Sequence, residues 1–193
     1  VSDGSATSSS ATVSVNVSAV NDAPVASSQS VMGNEDASQT ITLSGSDPEG
    51  DTLTYALASQ PSHGTATLND ATVTYGPSVD YSGSDSFTFT VSDGTATSSP
   101  ATVSITVTAV NDAPVATAQS VTVAEDASQT ITLSGSDPEG DTLTYALASQ
   151  PSHGTATLSG STVTYVPAAD YNGSDSFTFT VSDGSATSSS ATV

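Results

Sequence analysis

The chain repeats itself. Val1–Val13 (VSDGSATSSSATV) recurs as VSDGTATSSPATV at Val91–Val103 and returns unaltered at Val181–Val193. The same 90-residue offset carries Asp22 to Asp112, His63 to His153 and Tyr81 to Tyr171. Self-similarity at a fixed period is the mark of a tandem array, and the first and last 13 residues fall at the same phase of it, as an excerpt from a longer array would. The expected organisation is a last strand of a preceding repeat over 1–20, a first repeat over 21–110, and a second over 111–193 whose final strand is incomplete.

Within one repeat, apolar residues alternate with Ser and Thr at a period of two, the pattern of half-buried strands. Ile41 and Leu43 alternate with Thr40 and Thr42, and Phe87, Phe89 and Val91 with Thr88 and Thr90. Turn sequences separate these runs, among them Asp47-Pro48-Glu49-Gly50, Gln60-Pro61-Ser62-His63-Gly64 and Ser92-Asp93-Gly94. No stretch shows a helical period. The first repeat thus predicts seven strands, over about 28–33, 39–45, 51–58, 64–68, 72–76, 85–92 and 98–108. Seven short strands in such a length predict an all-β fold of tandem immunoglobulin-like sandwiches set end to end. Only 35% of residues are hydrophobic, a composition that with high charge suggests disorder, but the alternation argues for strands.

The charge is one-sided. Twenty Asp and Glu face no Lys or Arg, giving a formal net charge of −20. Nucleic acids and anionic membranes are therefore excluded as partners, since phosphate must be neutralised by basic side chains. No apolar run approaches the ~18 residues of a membrane span, and no signal-peptide pattern is present. Without Cys there is no disulfide, and without Lys no isopeptide crosslink. Each carboxylate must be solvated, bonded by backbone N–H groups, or neutralised by an imported cation.

Running seven strands up and down gathers the acids at the junction between repeats. One end of the first repeat offers Glu35, Asp36, Asp80 and Asp85, followed by the linker Asn111-Asp112-Ala113-Pro114. The facing end of the second repeat offers Asp137, Glu139, Asp141 and Asp183. The same positions at the start of the first repeat are Asp22, Asp47, Glu49, Asp51 and Asp93. Gathered carboxylates repel, and a hard divalent cation removes the repulsion; Ca²⁺ takes six to eight oxygens of the kinds these loops supply. Scarce His and absent Cys disfavour zinc and copper. An EF-hand does not fit, because position 12 counted from Asp47 is Ala58 and no helix flanks the loop.

Val110-Asn111-Asp112-Ala113-Pro114, the acidic loop Ser136–Asp141, and Asp170-Tyr171-Asn172-Gly173-Ser174-Asp175-Ser176-Phe177 leading to Val181-Ser182-Asp183-Gly184 resemble the cadherin-like, Ig-type tandem repeats of giant bacterial surface adhesins, of the VCBS or a similar type. By resemblance to the more distant animal cadherins, the calcium ligands would be Glu35, Asp85, Asn111, Asp112, Asp137, Glu139 and Asp183. The reduced acidic content of the linker and of the stretch before Phe87 implies one or two ions per junction rather than three.

Other residues read more plainly. Asp70 belongs to a turn, His63 and His153 are loop residues, and Tyr81 and Tyr171 occupy the place of a corner tyrosine. Asn16 and Asn172 head formal glycosylation sequons. No phosphate loop, nucleophile elbow or basic oxyanion group supports catalysis. The expectation is a non-enzymatic spacer or stalk of an extracellular bacterial adhesin or surface fibre, rigidified by Ca²⁺ between repeats and partnered by neighbouring repeats of the same or identical chains. Two alternatives stand beside it. One is a self-assembling filament subunit joined by strand complementation, and the other is a glycan- or cell-binding module.

Overall fold

A computed structural model describes all residues, 1–193, and every regular element in it is a strand. The first repeat holds β1 (Val25–Ala26), β2 (Gln29–Asn34), β3 (Gln39–Thr42), β4 (Gly45–Ser46), β5 (Thr54–Ser59), β6 (Gly64–Asn69), β7 (Thr72–Pro77), β8 (Gly83–Ser92) and β9 (Ala101–Thr108). A four-stranded sheet, β2-β9-β8-β5, packs on a three-stranded one, β3-β7-β6, with β1 and β4 forming a short ladder of their own. Nine segments stand where seven strands were expected, because a short β1 precedes the first run and the second run is interrupted between β3 and β4. Val25 and Ala26 pair with Ser46 and Gly45, after which the chain crosses to lie parallel to β9.

The alternation places Phe87, Phe89 and Val91 of β8 and Val103, Ile105 and Val107 of β9 in the core, each at most 4% exposed, with Thr and Ser outward. Ile41, Val73 and Tyr75 close the core from the other sheet. The second repeat builds its own separate core around Ile131, Leu133, Val163, Phe179 and Val181. Its strands are β10 (Val115–Ala116), β11 (Gln129–Thr132), β12 (Gly135–Ser136), β13 (Thr144–Ser149), β14 (Gly154–Ser159), β15 (Thr162–Pro167), β16 (Thr178–Ser182) and β17 (Ala191–Thr192). It has no counterpart of β2, and β16 is half the length of β8, because both lean on a final strand that here runs only to Val193.

Residues 1–20 were expected to be a strand and form none; apart from a bridge between Ser2 and Thr7 they are exposed coil. A strand has no stability of its own without a sheet to receive its hydrogen bonds.

At Gly64, opening β6, a Cβ would meet the Gly76 carbonyl oxygen at 2.5 Å and the Tyr75 ring at 2.7 Å. The close approach of β7 requires glycine here. Gly64→Ala is expected to cost the first repeat about 1–3 kcal/mol through overpacking, read as a lowered urea midpoint.

Candidate metal centre

Two sets of acidic side chains meet where the repeats join. Single carboxylate oxygens of Glu35, Asp112 and Glu139 lie within 4.8 Å of one another, and so do those of Asp36, Asp80 and Asp112. Asp112 belongs to both sets, and its position is fixed by backbone bonds on either side. The Val110 N–H donates to Glu35 Oε1 at 2.7 Å, tying the linker to the first repeat. The Asp112 N–H donates to Glu139 Oε2 at 3.1 Å, tying it to the second. Asn111 Nδ2 donates to Asp183 Oδ2 at 3.0 Å, a third anchor that leaves its amide oxygen uncommitted.

Asp36 and Asp80 reach the cluster from left-handed backbone, with φ of 57° and 54°. Asp tolerates that conformation better than most side chains, at a small steric cost.

Asp137 nucleates the facing loop. Its Oδ1 accepts from the N–H groups of Glu139 and Asp141, at 3.1 and 3.0 Å. Its other oxygen, Oδ2, is shut off from water and has no hydrogen-bond partner, and Asp112 Oδ2 is in the same condition. A buried carboxylate oxygen without a donor costs desolvation that nothing in the chain returns. Burial together with the charges of Asp36, Asp80, Glu35 and Asp137 pushes the Asp112 carboxyl above the ordinary aspartate range. The donor set is entirely hard oxygen, some of it unsatisfied, in a chain with no Lys or Arg to balance it. Such a set fits a divalent cation of the Ca²⁺ type and no softer metal.

Apart from Asp85, the junction candidates named from sequence divide into three groups. Glu35, Asp36, Asp112 and Glu139 come together, and Asp137 presents a bare oxygen beside them. Asp183 and Asn111 brace the linker: Asp183 Oδ1 caps the Ser185 and Ala186 N–H groups, and these with Asn111 hold it below the usual carboxylate range. Asp141 is exposed and lends the loop only its backbone N–H.

Asp85 is a correction. It is 8% exposed, and its two oxygens accept from the Ser62, His63 and Ser86 N–H groups and from the Tyr75 hydroxyl, at 2.9–3.1 Å. Burial works to raise its pKa, but the four donors outweigh it and hold the carboxyl below its ordinary range. Asp85 is thus saturated by protein donors, and the acid of that region which joins the cluster is Asp80. Asp175 repeats the network in the second repeat, where Tyr165 is pushed up to about 12 by burial and by the carboxylate it donates to.

At the start of the first repeat, Asp22, Asp47, Glu49, Asp51 and Asp93 reproduce half of the junction bond for bond. The Asp22 N–H donates to Glu49 Oε2, Asn21 to Asp93, and the N–H groups of Glu49 and Asp51 to Asp47. Asp47 Oδ2 is likewise unpartnered. No three of these acids converge there as they do at the junction.

His63 stacks on Tyr81 with ring centroids 4.2 Å apart, and the Tyr81 hydroxyl donates to the Ser84 carbonyl at 2.7 Å. Both side chains serve packing, as a loop histidine and a corner tyrosine should.

Two end-to-end sandwiches with acids collected at their joint define a cadherin-like, immunoglobulin-type tandem repeat. The bacterial Ig domain family model matches residues 21–106 and again 111–193, and the chain belongs to that family. Among solved structures it is similar to protocadherin gamma B2 extracellular cadherin domains 1–5, at 15% identity and a TM-score of 0.55, over 90% of this chain and 38% of that one. The human desmocollin-1 ectodomain gives 14% identity and a TM-score of 0.53, over 91% and 36%. These likenesses show the fold. An endo-fucoidan hydrolase of glycoside hydrolase family 107 shares 27% identity over 88% of this chain and 28% of its own, at a TM-score of 0.41. The chain thus spans between 28% and 38% of the length of these chains. No curated protein matches it in sequence.

Proposed function

We propose that the chain is a non-catalytic spacer segment of an extracellular bacterial surface protein, whose repeats are locked together by Ca²⁺ at their joint. The observation that carries this reading is Asp112. It sits among Glu35, Asp36, Asp80 and Asp137, with a water-free, unpartnered oxygen and no cationic side chain anywhere in the chain. Family membership and the near-identity of the repeats support a structural role outside the cell. Glu35, Asp36, Asp80, Asp112, Asp137 and Glu139 would hold the ion, which supplies the positive charge that the carboxylates lack. The linker anchors keep Asp112 in place between the two repeats.

A calcium titration tests this. Extracellular modules bind Ca²⁺ with Kd of roughly 10⁻⁴–10⁻³ M, so 10 mM ion is expected to stabilise the folded chain by about 1.4–2.7 kcal/mol relative to EDTA. That corresponds to several degrees in melting temperature. Small-angle scattering should show a narrower range of end-to-end distances with Ca²⁺ present. Asp112→Asn combined with Glu139→Gln should remove both responses while leaving the EDTA melting curve no lower than that of the parent. Indifference of the parent chain to Ca²⁺ in both measurements would sink the reading.

A further inference from the structure

The three-stranded sheet of each sandwich has two open edges, β3 and β6 in the first repeat. An edge strand turns a row of unpaired N–H and C=O groups outward, and proteins commonly blunt such edges with lysine, proline or a bulge. This chain has no Lys, and β6 contains neither a proline, nor a register shift, nor a charged side chain. One edge of the other sheet, β5, is by contrast broken by a register shift between Leu57 and Ser59.

A glutamine stands on the β6 edge instead. Gln60 Nε2 donates to the Ala66 carbonyl at 3.2 Å, and the Ala66 N–H donates to Gln60 Oε1 at 3.1 Å. In an antiparallel ladder alternate residues turn both backbone groups away from the partner strand, and Ala66 is one of these. The carboxamide, with donor and acceptor side by side, thus makes the pair of bonds that a residue of a neighbouring strand would make. Pro61, buried in the loop, restrains the Gln60 backbone to an extended form. Gln150 repeats both bonds to Ala156, each at 3.2 Å. On the opposite edge Gln29 Nε2 donates to the Thr42 carbonyl at 3.0 Å, and Gln119 Nε2 to that of Thr132 at 3.1 Å. Four of the six glutamines therefore lie along the edges of this sheet, where charge patterning has placed nothing else.

We infer that β6 and β14 are docking edges for an extended strand, held shut by Gln60 and Gln150, and that the strand they would otherwise take is the same edge of a second copy of this chain. Two copies related by a two-fold axis would set β6 against β6 antiparallel, a self-complementary contact that fuses their three-stranded sheets. Neither strand carries a charge that would oppose this pairing. A carboxylate in the place of Gln60 could accept from the Ala66 N–H but would have nothing to donate to its carbonyl, so only the neutral amide closes both groups. Copies of a module guarded in this way lie side by side with their sheets kept separate.

Amide exchange on the parent chain tests the clasp. Leu68 faces the same way as Ala66 on β6 without a side chain bonded to it, and Leu158 does so on β14. After correction for intrinsic rates, the Ala66 and Ala156 amides are expected to exchange about fivefold more slowly than those of Leu68 and Leu158, the protection that one net hydrogen bond supplies. Association is read by light scattering in EDTA and high NaCl, which removes Ca²⁺ and screens the acidic charge. Gln60→Ala with Gln150→Ala should give a mass that exceeds the parent's at equal concentration and climbs as the chain is concentrated. Gln60→Glu with Gln150→Glu also loosens the clasp but places a like charge on each edge, and should keep the parent's mass. Equal exchange rates at Ala66 and Leu68 overturn the inference, as does an alanine variant that matches the parent's mass at every concentration, or a glutamate variant that associates as readily.

Discussion

Phe89→Ala is expected to destabilise the first repeat by about 4 kcal/mol and to leave the second repeat melting as before. Phe89 is fully buried in the middle of β8, with Tyr55 beside it and residues of the facing sheet beneath. Removing a buried phenyl costs the transfer free energy of the ring plus the cavity it leaves, typically 3–5 kcal/mol. A small domain has only about 5–15 kcal/mol in total, so much of the stability of the first repeat goes with this one side chain. The two cores share no residue, which makes the loss local. Calorimetry should therefore resolve one transition moved down by well over ten degrees and one unmoved. Phe179→Ala should exchange the two. A single cooperative transition that shifts as a whole would show instead that the repeats fold as one unit.

Asp85→Ala ranks next. It strands the donors of Ser62, His63, Ser86 and Tyr75, two of them on the turn that opens β6. Losing a buried, charged acceptor shared by several donors is expected to cost about 3 kcal/mol at neutral pH. The effect depends on pH with a definite sign. The folded pKa of Asp85 lies below its ordinary value, so its contribution is present in full above the unfolded pKa, ~3.9, and is lost as pH falls through the lower folded value. Parent and variant should therefore differ most above about pH 5 and converge in stronger acid. Asp175→Ala should cost less, because Asp175 and Tyr165 are more exposed than their counterparts. A difference between parent and Asp85→Ala that is flat from neutral pH into strong acid would contradict the network.

How far the sequence can be read is visible in these same residues. Alternation located β8 and β9 because each strand has one wet face and one dry, and the period of two is printed in the residue types. The same rule already placed Asp85 inward, two residues from Phe87 and four from Phe89, where a buried carboxylate must find donors. Weighing it by likeness to cadherins instead of by its face put it among the ligands and left Asp80 unselected. The separate β1 ahead of Ser27–Ser28 and the interruption at Leu43–Ser44 had no local signal, since the crossing from the ladder of β1 to that of β2 is decided by which sheet has a free edge. At the junction, topology alone brought Glu35, Asp36 and Glu139 toward Asp112. The bracing of Asn111 by Asp183 depends on side-chain direction, which charge patterning does not carry.

The parallel pairing of β2 with β9 bears on what happens when a repeat is pulled by its two ends. Force enters through the residues before β2 and leaves through those after β9, and because the strands run the same way, these points lie at opposite ends of the ladder they share. The six residue pairs from Gln29–Val103 to Asn34–Thr108 are then loaded in shear and must rupture together, whereas an antiparallel pair gripped at one end would unzip a bond at a time. A row of such modules would stretch by discrete yielding events, each the length of one unravelled repeat, and would behave as a tether with built-in shock absorption.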